Sequence, residues 1–340
     1  MSQSSKWTWA ALVVALVAAG VVVDAVSRPD DSNSIAAPVV EAGRPGPGSA
    51  DSAELTYTRL AGPDRTQVRD ASGRVLAVFT DGARTVRISG PRRTFTDPRF
   101  TRASVTTDAW IRLAPRTWRE GSEKAPWFRP WLDWALRNLG RDALAISMDY
   151  LDGVPGRTDP KGRRFAGDAS FGPLDAADPD GRAEDSDFHD YLGVEWEFPD
   201  SGPERPAAGR LGSLDSSGLI RMVYGHRMGC LLRGTDTRGP GLPRHAFAIA
   251  GFGPGAVLVP NTGRAVRDYG VLQEGDLVFF NDGGSAGTAI TRSGIYLGVD
   301  DTGHHRFLSS QAKADGPTFG GDSVLDGSVW SGRFLTARRI

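Results

Sequence analysis

One cysteine in 340 residues, Cys230, excludes every disulfide within the chain. Whatever this sequence folds into must therefore be held by burial of apolar surface alone. The length permits that, being enough for a sizeable core and for two modest domains. Apolar residues make up 39% and charged residues 24%, with 43 Gly and 22 Pro, which fits a folded, loop-rich protein and excludes a wholly disordered one. Basic and acidic residues balance at 40 and 41, so bulk charge offers no case for a nucleic-acid partner. Only four of the basic residues are lysines, and the arginine bias reads as base composition, not as function.

The lack of disulfides matters because the sequence carries an export signal. Trp7 to Val23 is a nearly unbroken apolar run behind Lys6. As a helix it reaches about 26 Å, slightly short of the roughly 30 Å hydrocarbon core of a bilayer. Residues 1–26 are therefore expected to be a signal peptide cut after Ala25, or a membrane anchor through residues 7–23. Either outcome puts the remainder outside the cytoplasm, secreted or held at the cell envelope. Residues 27–53, with Arg44-Pro45-Gly46-Pro47-Gly48 at their centre and no apolar periodicity, read as a disordered tether.

Residues 54–126 alternate short apolar runs with turn signals and are expected to form a β-rich N-terminal region. Asp81-Gly82 between Val75–Phe79 and Thr85–Ile88 predicts a hairpin. Thirteen arginines against five aspartates between Arg59 and Arg119 give a local net of +8, read as a solvated strand face. From 127 to 340 a second domain is expected. Pro130, the spacing of Leu132, Leu136 and Leu139, and Gly140 predict one helix; Asp142 as cap, Leu144, Met148 and Leu151 on one face, and Gly153 as stop predict the next. Trp127, Trp131 and Trp134 share a face and are taken as core.

Residues 154–213 form a polar insertion, and Gly167 to Asp200 carries a net of -10. Contacts between this segment and the basic N-terminal region are expected. Ala176 to Asp187 departs from a calcium loop at its first and last ligands, and His189 lacks a second histidine at ligand spacing, so it is read as a surface residue. No metal or cofactor is expected.

Leu214-Asp215-Ser216-Ser217-Gly218-Leu219-Ile220 opens a helix, and Leu272-Gln-Glu-Gly275-Asp276-Leu-Val-Phe-Phe280, Arg292-Ser-Gly294-Ile-Tyr-Leu-Gly298 and Arg306-Phe-Leu-Ser309 read as strands of an antiparallel sheet. In this order and spacing the segments resemble the NlpC/P60 family of cell-wall peptidases, whose pattern is D-C-S-G-L, then L-x-x-G-D-L-V-F-F, then H-V-G-I-Y-L-G. The resemblance spans Asp142 to Ile340. It implies an α+β, papain-like core of helices packed on an antiparallel sheet, and cleavage of peptide bonds in peptidoglycan stems, commonly after D-glutamate. It assigns Ser216, Arg292 and Ser309 to the cysteine, histidine and third catalytic positions. Asp215, Ser217, Arg292 and Trp196 fall at substrate-facing positions, Trp196 through the similarity of Leu192-Gly193-Val194-Glu195-Trp196 to a family turn.

The implied chemistry needs a thiolate at a helix start and an imidazole on the facing strand. Ser216 and Arg292 supply neither, since a serine without a base is a poor nucleophile and an arginine stays protonated. Cys230 is read as buried filler, and His226, His304 and His305 as lying away from Ser216. The main expectation is an exported, catalytically degenerate homologue that binds peptidoglycan stem peptides or another wall polymer, with Arg292 either gripping a stem carboxylate or paired inside the protein. The alternatives are an active hydrolase with Ser216 as nucleophile and a purely structural wall-associated domain.

Overall fold

The computed structural model of the chain describes residues 54–175, 181–283 and 289–340. The leader, the tether and the first five residues of the near-calcium loop fall outside the described residues. Among the described residues no helix is long and apolar enough to cross a membrane. The architecture is α+β, with antiparallel sheets and few helices.

The alternating apolar runs form a five-stranded meander, β1 (Thr56–Leu60), β2 (Arg65–Arg69), β3 (Val75–Thr80), β4 (Thr85–Thr96) and β5 (Ser104–Leu113). Gly82, at φ 84°, supplies the left-handed residue of the turn between β3 and β4, a conformation glycine adopts without steric cost. The apolar face of this sheet, with Phe79 stacked on Trp118 at 4.1 Å, packs against Phe128, Leu132 and Ala135 of α1 (Phe128–Arg137). The helix thus shares its core with the N-terminal sheet. Trp127 and Trp131 pack on that core, whereas Trp134 is exposed beside Arg112.

Asp142 caps α2 (Ala143–Ser147), accepting from Ala145 N. This helix is shorter than its apolar spacing predicts. It gives way to a single 3-10 turn where Asp149, almost fully buried, gathers Arg141, Arg157 and Arg227. The insertion holds two small hairpins, β6 (Arg157–Thr158) with β7 (Arg164–Ala166) and β8 (Trp196–Phe198) with β9 (Gly202–Glu204). Between them lies α3 (Phe188–Leu192), closed by a reciprocal capping box of Asp187 and Asp190, which satisfies amide donors that an open helix end leaves unpaired. Every residue of α3 is buried. His189 is therefore a core residue beside Asp187 and Asp190, not a surface one.

The second half follows the motifs. After α4 (Ser216–Ile220), continued by a π-helical segment Arg221–Arg227, come α5 (Ala246–Phe252), β10 (Ala256–Val259), β11 (Leu277–Phe280), β12 (Arg292–Val299), β13 (His305–Gln311), β14 (Gly316–Thr318) and β15 (Phe334–Arg339). The sheet order is β10-β15-β11-β12-β13-β14. Strand alternation turns Ile295 and Leu297 toward Leu219, Ile220 and Val223, and turns Tyr296 with Phe280 and Phe307 to a second core on the opposite face.

The N-terminal sheet is joined to the rest of the chain by buried polar contacts. Arg93 reaches Asp142 at 2.6 Å, Arg339 joins Asp276 at 2.7 Å and Thr80 at 2.6 Å, and Asp97 accepts from Thr318 and Phe319. Arg93, Arg221 and Arg339 are among the largest fully buried side chains. The arginines that composition dismissed therefore include the ties of the fold.

His226 sits near the end of the π-helical segment, stacked on Phe188 and edge-on to Trp196. Burial, helped by the charges of Arg227 and Arg163, pushes its imidazole down to about 4 from 6.5. The unfolded chain therefore takes up this proton first as pH falls. Stability tied to neutral His226 is intact above about 6.5 and is lost progressively down to about 4. Melting curves near pH 7 and pH 4.5 should show a larger drop for the native chain than for His226→Phe. Equal drops would sink this assignment.

Candidate functional site

Asp215 stands at the N-cap of α4, and its carboxylate accepts from Gly218 N at 2.6 Å and from Ser217 Oγ at 2.8 Å. Ser216 opens the helix and faces β12, as the motif alignment requires. Ser293 N and Ser293 Oγ lie 3.3 and 3.4 Å from Ser216 Oγ, and among the described residues these are its hydrogen-bonding neighbours. Both can donate to the hydroxyl, and neither can take its proton at ordinary pH. Ser216 is also buried, at 4% exposure.

Arg292, the first residue of β12, has its guanidinium tied on two sides. Nε donates to Asp282 at 2.5 Å, Nη1 lies 2.5 Å from Glu184, and the group sits 5.1 Å from the centre of the Phe171 ring. Of the two roles open to it in the sequence, the structure contains the internal one, and Glu184 belongs to the acidic insertion. Ser309 donates to Ser293 O at 2.7 Å and Ser310 donates to Leu214 O at 2.5 Å, so these hydroxyls serve backbone carbonyls around the Ser216 position.

Asp215 and Ser217 are joined to Arg244, at 2.7 and 2.8 Å. Burial would raise the Asp215 carboxyl, but the Arg244 charge outweighs it and holds the group below the usual carboxylate range. Trp196 lies in β8, partly buried, with its ring against Phe188 and His226. The structure thus brings Ser216, Ser293, Ser309, Asp215 and Ser217 together, with Arg292 at the edge of the group. Trp196 packs on the other end of the helix, next to His226.

Among the described residues the acidic segment finds basic partners in the second half of the chain. Glu184, Asp187 and Asp200 pair with Arg292, Arg221 and Arg233 of the second half, and His245 takes Asp185. Arg244, Arg221 and Asp282 carry no motif and were invisible in the sequence. Asp187 and Asp190 had a signal, an acidic pair three residues apart ahead of Leu192-Gly193, which is the signature of a capped single turn.

Cys230 is buried, and burial pushes its thiol up to about 11, which keeps it protonated and unreactive. His304 bonds Asp326 and His305 bonds Tyr296, both away from Ser216. Among the described residues no group of three or more His, Cys, Asp or Glu is placed to hold a metal ion.

No protein-family model matches this chain, and no curated protein matches it. Among solved structures it is similar to a Staphylococcus aureus protein described as similar to a lipoprotein of the NLP/P60 family, at 24% identity and a TM-score of 0.24. That match covers 45% of this chain and 38% of the other. A likeness of this quality over so small a share of either protein does not assign the chain to a family.

Proposed function

We propose that this chain is a catalytically silent relative of the NlpC/P60 peptidases that acts at the cell envelope, binding peptidoglycan stem peptides or another wall polymer without cutting them. The observation that carries the silent half of this reading is the setting of Ser216, whose hydroxyl meets, among the described residues, Ser293 N and Oγ and no general base. The strand position of the base holds an arginine already committed to Asp282 and Glu184. The cell-wall half rests on the motif resemblance and on the apolar run at residues 7–23. A purely structural role is the second reading, favoured by the internal pairing of Arg292.

The test is incubation of the native chain with muropeptides, following products by chromatography and complex formation by calorimetry. Binding without cleavage is expected. Cleavage that disappears in Ser216→Ala would replace this reading with a serine hydrolase, and neither binding nor cleavage would favour the structural role.

A further inference from the structure

Two cation or donor groups beside α4 are each held from behind by one carboxylate and covered in front by another. Asp282 bonds Arg292 Nε at 2.5 Å and so sets the plane of the guanidinium, while Glu184 takes Nη1. Asp236 bonds His245 Nδ1 at 2.6 Å and accepts from His245 N at 2.8 Å, while Asp185 lies 2.9 Å from Nε2. The two front carboxylates are consecutive residues of one irregular segment, 182–187, which crosses the start of α4 with Ser186 O accepting from Asp215 N at 2.8 Å. A Cβ on Gly218 would stand 2.2 Å from that carbonyl, so only glycine lets the segment lie this close to the helix.

The ends and the middle of the segment differ. Arg182 is tied to Asp315 at 2.6 Å, and Asp187 is fully buried with both its oxygens on Arg221. Glu184 and Asp185 between them have side chains 53% and 66% exposed. Asp185 also holds φ at 74°, a left-handed conformation that a non-glycine residue adopts at a steric cost. Ion pairs this exposed add little individually, so an incoming carboxylate competes with the middle of the segment on nearly equal terms.

We infer that residues 182–187 form a tethered strap whose Glu184 and Asp185 occupy a carboxylate-recognition site made by Arg292 and His245, and that an acidic peptide binds there by displacing those two side chains. The strap's backbone is held along its length, with Ala183 N on Pro173 O, Arg210 on Glu184 O and Ser186 buried against Asp215, and the site opens by the swing of the Glu184 and Asp185 side chains. This rests on the proposed stem-peptide reading, since it names the part of that ligand, a free carboxylate, which the site accepts.

The test compares the native chain with Glu184→Gln/Asp185→Asn, and with Asp70→Asn/Asp159→Asn as a control that removes the same charge elsewhere. Two readouts are taken: calorimetric affinity for a muropeptide with free stem carboxylates, against the same muropeptide amidated, and modification of Arg292 by an arginine-selective dicarbonyl, located by mass spectrometry. The strap variant is expected to bind the free-carboxylate muropeptide about tenfold more tightly than the native chain, because occupancy by the strap divides the apparent affinity by the open fraction. The gain should vanish on amidation, and Arg292 should react several-fold faster. The control should match the native chain in both.

Equal binding by native chain and strap variant would overturn the strap while leaving the stem-peptide reading in place. Faster Arg292 modification with no binding by either protein would support the strap as the occupant of Arg292 and overturn the stem-peptide reading. Unchanged Arg292 reactivity overturns the strap whatever the binding.

Discussion

Replacing Arg221 by methionine is expected to lower the stability of this protein by about 3–5 kcal/mol, the usual cost of leaving one member of a buried ion pair alone. Arg221 is fully buried and bonds Asp187 through Nε and Nη2 at 2.8 to 3.0 Å. Its Nη1 also donates to the carbonyls of Arg233, Leu242 and Pro243 at 2.7 to 3.0 Å. One side chain thus ties the cap of α3 to the helix carrying the site and to the loop before α5. A methionine fills much of the volume but supplies none of these donors.

The effect has a pH signature. Burial alone would raise the Asp187 carboxyl, yet Arg221 and then Arg244 overcome it and hold the group far below its ordinary value. A depressed folded-state value means stability that is present above the unfolded pKa, about 3.9, and is lost as pH falls beneath it. The penalty of Arg221→Met should therefore be full near neutrality and shrink below about pH 4, where the unfolded chain takes up the Asp187 proton and the native chain loses the stability its ionised, paired carboxylate confers. Chemical denaturation across that range checks both parts, and a penalty independent of pH would assign the loss to packing instead of charge.

The largest expected gain of activity comes from restoring two positions together. Ser216→Cys with Arg292→His should cleave muropeptides at a rate about a hundredfold above either single variant, a typical contribution of one positioned general base. A thiol without an imidazole lacks its proton acceptor, and an imidazole without a thiol has nothing to activate. Residue 216 lies 3.3 Å from Ser293, and residue 292 precedes Ser293 on the strand, so the pairing asks an imidazole at 292 to turn toward the start of α4. Asp282, which now bonds the guanidinium, is the carboxylate nearest to hand for an imidazole at 292, and Asp282→Asn is expected to weaken the double variant. Product analysis by mass spectrometry decides the matter: a folded double variant no faster than the singles would end the assignment of these two positions as the catalytic pair.

Local patterns in the sequence determined the elements around the site. Asp142 and Asp215 as caps, the Asp81-Gly82 turn, the helix opening at Ser216 and the strands at 277–280, 292–299 and 305–311 all follow from contacts between residues close in the chain, or from the alternation a two-faced sheet imposes. Their boundaries were less legible elsewhere, as at the end of α2, where a 3-10 turn begins and Asp149 meets three arginines. What the charged residues do was settled only by tertiary structure. In the sequence Arg93, Arg221 and Arg339 look like any surface arginine, and Glu184 and Asp187 look like members of one solvated acidic run. Their partners lie from 34 to more than 100 residues away, so no spacing rule reaches them. A buried charge is tolerated only where packing delivers an opposite charge and enough hydrogen bonds to replace water, and that condition is a property of the folded chain. That Arg292 meets the protein's own Glu184 and Asp282 was for that reason visible only in the fold.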